Sequence, residues 1–337
     1  MINTISIGLI TIISLFIIFF IYKYRTTISQ RTNLIDIPDK IRKFHTKGTP
    51  LLGGIMIFSV FILINIYLFF FENLDRPDVI ILFNSSFCFI LGLVDDLKKL
   101  NYRNKFFFLI IFFIFFLNLE PNLQITKIYF VTFDQYISLG SYSIFFTTLC
   151  LVLLVNAINL VDGINGLCIL INIILLSWLF FITKEGNLFY TVMIISLFYI
   201  LLFNFKNDLF MGDSGSLFLG CLIGLLIIHN YNNYLTTINF QVENIFIILM
   251  LPGIDMFRVF FQRMLKNKNP FSSDRTHLHH LLFDKILKLN TVLTIYLILF
   301  LSPIILNFFN LIKPYQIILI FFIIYTFIIF RLYRYKN

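Results

Sequence analysis

The sequence predicts an all-α integral membrane protein of about eleven transmembrane helices, and three observations carry that prediction. Of 337 residues, 59% are hydrophobic and only 13% charged, with 45 Phe, far more apolar surface than a soluble core can use. Apolar runs about 20 residues long, enough to cross the hydrocarbon at 1.5 Å per residue, recur along the whole chain. Lys and Arg fall almost entirely in alternate connections. A single polytopic domain over 1–337 is the expected organisation.

Residues 4–22 form the first run, with no basic residue before it and Lys23, Tyr24 and Arg25 directly after. A secretory signal would carry its positive charge first and a shorter core, so this reads as a retained anchor with its N-terminus outside. Further spans are expected at 50–71, 78–94, 105–119, 143–161, 166–183, 187–204, 214–229, 243–260, 291–309 and 315–331. On that register twenty-two Lys and Arg lie in inner segments and four (Arg76, Lys127, Lys184, Lys313) in outer ones. This is a strong positive-inside bias. The formal charge of +9 is therefore an orientation signal and an attraction for anionic membrane lipid heads, and no nucleic acid is an expected partner.

Between the fourth and fifth spans, 125–133 is rich in β-branched and aromatic residues, Asp134-Gln135 suits a turn, and 136–140 follows, so a small outer hairpin is expected. Cys88, Cys150, Cys168 and Cys221 all lie in apolar runs without a C-x-x-C pattern and read as packing residues.

Five polar clusters collect at the inner ends of the spans. The central one runs from Asn156 to Leu167 and holds Asn159, Asp162, Gly163, Asn165 and Gly166. Burying such groups without partners costs about 1–3 kcal/mol each, so water, backbone or a ligand must meet them. If the segment is helical, Asp162 and Asn165 share a face at i, i+3. Phe44 to Gly54 leads into the second span, where Pro50 suits a first helical turn and the glycines permit close backbone approach. A helix N-terminus with Lys47 makes an anion site, though an ordinary basic loop reads the same way.

Asp95 and Asp96 close the third span. On a helix they point about 100° apart, so one can bind a metal while the other orients or deprotonates a substrate. Carboxylates at a helix C-terminus oppose the macrodipole, which leaves them without a local reason. Gly212-Asp213-Ser214-Gly215 opens a later span, where Asp213 or Ser214 also suits a helix cap. The last inner loop carries Arg275, His277, His279 and His280; His277 and His280 share a helical face and His279 does not. Zinc lacks a fourth protein ligand there, and Arg with His is equally suited to a diphosphate. Carboxylates with phosphate oxygens favour Mg²⁺ or Mn²⁺, and no Gly-x-x-x-x-Gly-Lys loop is present.

Taken together, Asp95-Asp96, Asn159-x-x-Asp162-Gly, Gly212-Asp213-x-Gly-Ser and His277-x-His279-His280 resemble the polyprenyl-phosphate N-acetylhexosamine-1-phosphate transferases, with the motifs in the family's order over nearly the whole chain. The final cluster looks like the branch that handles UDP-GlcNAc-type sugars; the phospho-MurNAc-pentapeptide transferase branch is expected to show three consecutive histidines. Many members carry Asp where this chain has Asn165, a departure that bears on nucleotide or sugar recognition.

The resemblance implies transfer of a sugar-1-phosphate from a UDP-N-acetylhexosamine to polyprenyl phosphate, at the cytoplasmic face of a bacterial inner membrane. It implies Asp213 as the leading Mg²⁺ ligand and Asp95 and Asp96 as catalytic groups that bind or deprotonate the lipid phosphate or support the metal. Asn159, Asp162 and Asn165 would hold the nucleotide, and Arg275, His277, His279 and His280 the diphosphate or sugar. Lys47 and Lys105 would contact phosphate. A homodimer is a candidate assembly. The rival from another class, a secondary transporter, would place its polar groups near mid-bilayer on interrupted helices, whereas these lie at inner ends.

Overall fold

The computed structural model describes residues 2–37, 48–72, 74–183, 187–234, 241–270 and 275–334. Lys47, His45 and the 271–274 stretch before Arg275 lie outside them. Among the described residues, ten helices are long and apolar enough to cross a membrane, and Leu167–Thr183 is a shorter apolar helix of 17 residues. In a bilayer no water meets exposed backbone, so apolar runs of this length close their hydrogen bonds internally as helices. The chain is a multi-pass, all-α membrane protein, and among the described residues eleven apolar helices match the expected runs.

The chain packs as two compact units. The first comprises 1–125 and 142–232, the second 126–141 and 233–337. In chain order the first unit opens with α1 (Ile2–Lys23), α2 (Arg25–Thr32), β1 (Ile35–Asp36), β2 (Thr49–Pro50), α3 (Gly53–Phe71), α4 (Arg76–Lys98) and α5 (Tyr102–Leu119). The second unit's β3 (Lys127–Phe130) and β4 (Gln135–Ser138) follow. The first unit resumes with α6 (Ser143–Val161), α7 (Leu167–Thr183), α8 (Asn187–Phe205) and α9 (Gly212–Asn233), and the second ends with α10 (Val242–Leu265), α11 (Leu278–Ile286), α12 (Leu289–Phe308) and α13 (Pro314–Arg334).

In the first unit α9 is the core. Of its most apolar window 83% is buried, against 17% for α1, whose large side chains face outward as lipid contact demands. Small residues allow this enclosure. A Cβ on Gly54 would lie 2.4 Å from the Gly215 nitrogen, and one on Gly220 2.9 Å from Val155 Cα, so α3 and α6 close on α9 backbone to backbone. α8 packs against α1, α3 and α7, while α5 packs between α4 and α6.

Pro50 departs from expectation. It lies in β2, which pairs with β1 (Ile35↔Pro50, Asp36↔Thr49), and α3 begins only at Gly53. The Phe210 N–H donates to the Pro50 carbonyl at 2.9 Å, while Gly53 and Gly54 donate to Phe210 and Met211 at 2.9 and 3.0 Å. The chain entering α3 is therefore tied to the chain entering α9, and the first α3 amides are satisfied by backbone instead of standing open to an anion.

In the second unit β3 and β4 form the expected hairpin, with Lys127 opposite Ser138 and Phe130 opposite Gln135, so Gln135 belongs to β4 and the turn is made by Val131–Phe133 with Asp134. The backbone N–H of Thr132 donates to Glu243 of α10 at 3.1 Å. α10 packs on α12 and α13, and so does the short α11, which the sequence reading did not anticipate.

A carboxylate centre and a histidine cluster

The first unit builds its centre from the C-terminal end of α4 and the N-terminal end of α9. Helix α4 stops because Lys99 turns left-handed at φ 50°, donating its N–H to the Asp95 carbonyl at 2.8 Å. The Asp95 side chain then takes the Leu100 N–H at 2.6 Å. Asp96 points elsewhere, as successive helical positions must. Its two oxygens accept the N–H groups of Asp213 at 2.8 Å and Ser214 at 3.0 Å. Asp96 thus caps α9 from another helix, and neither Asp213 nor Ser214 fills that role. The macrodipole objection dissolves, because the carboxylate stands at a favourable helix N-terminus supplied by packing. Gly92, one turn before, makes room: a Cβ there would lie 2.3 Å from the Asp213 carbonyl oxygen.

With α9 capped by Asp96, the Asp213 side chain is released for other partners. Its Oδ2 lies 2.5 Å from Lys105 Nζ, and its Oδ1 accepts from Asn159 Nδ2 at 3.1 Å. The same ammonium lies 2.5 Å from Asp95 Oδ2, with the Lys105 side chain 13% exposed and that of Asp95 12%. Asn159 also donates to Ser216 Oγ at 2.8 Å, joining α6 to α9. The structure therefore gathers Asp95, Asp96, Lys105, Asn159 and Asp213 into one cluster.

Asp162 follows α6 as its C-cap, and 162–166 is a turn, so the i, i+3 helical relation with Asn165 does not apply. Burial, reinforced by Asp213 and Asp96 nearby, pushes the Asp162 carboxyl well above the usual carboxylate range. Asn165 instead bonds Asn207 through their side-chain amides. The loop is set by Asn204, which sequence reasoning missed. Its Oδ1 takes the Gly166 N–H at 2.6 Å and its Nδ2 donates to the Leu209 carbonyl at 2.9 Å. One buried amide thereby aligns the Asp162 turn with the strand-like entry to α9. Its signal was a lone Asn at the end of an apolar run.

The donor set fits a hard divalent cation. Two carboxylates share one ammonium and a third, Asp96, stands at the start of α9, which leaves surplus negative charge, and Asp213 offers carboxylate oxygen with its side chain 33% exposed. Among the described residues no group of three His, Cys, Asp or Glu is placed to cage a metal. Mg²⁺ is commonly held by one or two protein carboxylates, with phosphates and water completing its shell.

In the second unit His277 is the residue before α11, with ψ 150°, so it does not share a helical face with His280. Its ring instead stacks on His279, centroids 5.9 Å apart and 8° from parallel, and His279 meets His280 at 4.2 Å. His279 is 1% exposed, and burial together with the two neighbouring imidazoles holds it well below the ordinary imidazole range. Arg275 pairs with Asp284 of α11.

Known proteins resemble this chain over most of its length. The model of glycosyl transferase family 4 matches residues 79–230, from α4 through most of α9. A Bacillus subtilis protein described as "Probable undecaprenyl-phosphate N-acetylglucosaminyl 1-phosphate transferase" is 30% identical over 304 residues, 87% of this chain and 82% of its own length. A Thermotoga maritima undecaprenyl-phosphate alpha-N-acetylglucosaminyl 1-phosphate transferase is 29% identical over 285 residues, 82% of this chain and 81% of its own. A phospho-N-acetylmuramoyl-pentapeptide-transferase of the same organism is 25% identical over 237 residues, 66% of this chain and 74% of its own. The capped, lysine-bridged carboxylates lie within the matched span, and the chain belongs to glycosyl transferase family 4.

Proposed function

We propose that this chain transfers N-acetylglucosamine-1-phosphate, or the 1-phosphate of a close N-acetylhexosamine, from its UDP-sugar to undecaprenyl or another polyprenyl phosphate, releasing UMP. The site works at the cytoplasmic face of a bacterial inner membrane, where a lipid phosphate and a soluble nucleotide can meet. The observation that carries this reading is the ammonium of Lys105 set between Asp95 and Asp213 at 2.5 Å from each, at the ends of two membrane helices.

One phosphoanhydride bond breaks as another forms, so positioning and charge neutralisation suffice and no external energy source is required. Asp95 binds or deprotonates the acceptor phosphate. Asp96 acts at one remove by fixing the start of α9, and hence Asp213. Lys105 holds Asp95 and Asp213 and contacts the transferred phosphate; Lys47 is assigned to phosphate on the family's pattern. Asn159, Asp162 and Asn165 serve the nucleotide, while Arg275, His277, His279 and His280 serve the diphosphate or sugar. Asp213 would be the leading residue to hold Mg²⁺ or Mn²⁺, and the bound ion would supply charge neutralisation for the phosphoryl transfer.

Mass spectrometry of the lipid product formed from a panel of UDP-sugars tests the reading. A polyprenyl-diphospho-N-acetylglucosamine product supports it. A product formed only from UDP-MurNAc-pentapeptide moves the chain to the peptidoglycan branch, and no lipid-linked sugar from any donor overturns the proposal.

A further inference from the structure

The second unit holds a polar knot around Asp255 of α10, a carboxylate 4% exposed. Its Oδ2 lies 2.9 Å from His277 Nδ1. Its Oδ1 accepts from Arg258 Nη2 at 2.8 Å and from the Tyr325 hydroxyl at 2.7 Å. The Leu278 N–H, first of α11, reaches both oxygens at 3.1 and 3.2 Å. Arg258 extends the knot, donating from Nε to Tyr325 Oη at 2.8 Å and from Nη2 to the Thr276 carbonyl at 2.6 Å. One carboxylate on α10 therefore gathers α13, the chain entering α11 and the first histidine of the cluster.

A cap for α11 requires only an acceptor for the Leu278 N–H, which an Asn or Ser supplies as well. The contact with His277 asks for more. A carboxylate only accepts, so the proton it meets resides on Nδ1 of His277. Nε2 is then the nitrogen left over, and among the described residues it is buried without a partner, as are both ring nitrogens of His279. Such groups are costly when nothing meets them, and native structures keep few of them.

We propose that Asp255 is a positioning residue for His277. It fixes the ring's tautomer and orientation so that Nε2 meets the diphosphate or sugar of the UDP-N-acetylhexosamine, with Arg258 and Tyr325 holding the carboxylate in place. The inference rests on the reading above that the histidine cluster serves the sugar donor. Outer partners of this kind typically change affinity or activity by about 10- to 100-fold when removed from metal-bound histidines, and the same orienting logic applies here.

The test is a double-mutant cycle on the full-length protein in detergent, with UDP-GlcNAc and undecaprenyl phosphate as substrates. Asp255→Asn keeps acceptors for Leu278 and Arg258 but offers His277 an amide donor, which reverses the tautomer. The KM for UDP-GlcNAc should rise about tenfold, with the KM for the lipid unchanged. His277→Gln should lose at least as much, and the double variant no more than His277→Gln alone. Should Asp255→Asn fail to fold, Tyr325→Phe replaces it in the cycle, with an expected rise of about threefold that vanishes in the His277→Gln background. Losses that add, or that strike both substrates equally, overturn the positioning role alone. Wild-type kinetics in His277→Gln overturn it together with the donor reading of the cluster.

Discussion

Asp96 closes the C-terminal end of α4, yet both its oxygens accept backbone N–H groups of α9, the nearer being that of Asp213 at 2.8 Å. The two aspartates hence have different duties, one holding the helix start and the other facing Lys105 and Asn159.

Replacing Asp213 by Asn removes one negative charge while leaving the Asp96 cap intact. Activity dependent on Mg²⁺ or Mn²⁺ should fall by about 10²-fold or more, with the thermal midpoint in detergent close to wild type. Wild-type turnover would return Asp213 to a purely structural role.

Asp95→Ala and Asp96→Ala should fail in different ways. Asp96→Ala strips two α9 amides of their acceptor and should cost about 1–2 kcal/mol of stability, the upper range for a lost cap. Asp95→Ala should retain the fold and depress kcat at saturating UDP-sugar, whereas Asp162→Ala should weaken UDP or UMP binding and spare the lipid. Parallel thermal melts, nucleotide titrations and initial rates decide it; equal loss of nucleotide affinity in all three would mean one undivided nucleotide–metal site.

Gly92→Ala places a methyl 2.3 Å from the Asp213 carbonyl oxygen and 2.5 Å from Ser214 Cα. Backbone must move, and overpacking of this kind costs about 1–3 kcal/mol or more. Gly8→Ala meets nothing within 4 Å and is the control. Lower yield and melting temperature for Gly92→Ala alone are expected, and matched melts for the two would remove the close approach from the argument.

Because burial depresses His279, the unfolded chain takes up a proton near the ordinary value of about 6.5 while the folded chain does not. The stability it permits is thus complete above that pH and is lost as pH falls toward the depressed folded value. The rings of His277, His280 and Tyr296 face it, and the charges of Asp255 and Arg258 act on it as well. Thermal melts between pH 7.5 and 5 should drop more steeply for wild type than for His279→Gln; identical slopes would show that this imidazole does not titrate differently on folding.

If all eleven apolar helices cross the membrane, the charge bias predicts a cytoplasmic tail from Arg331 and an N-terminus outside. A reporter fused at Asn337 should be active only in the cytoplasmic compartment. Activity only outside would invert the topology.

The spans were legible in the sequence because transfer into lipid is nearly a sum over residues, so a one-dimensional run of Leu, Ile and Phe reports it directly. The clustered Asp, Asn and His announced themselves as costly groups in apolar surroundings. Packing alone decided what each group meets. Asp96 and Asp213 are 117 residues apart, and their bond exists because Gly92 lets α9 approach α4. Asn204 was hidden as the last polar residue of an ordinary span, and Asp255 was passed over within another, although a carboxylate there with Arg258 at i+3 was itself a signal that a partner must follow. Pro50 and the 162–166 turn went differently from a helical reading because local propensity competes with long-range pairing. The Pro50 carbonyl found Phe210, and the Gly166 amide found Asn204. Hydrogen bonds in a low-dielectric interior go to whichever partner the packed helices bring within 3 Å, and sequence separation carries no record of that distance.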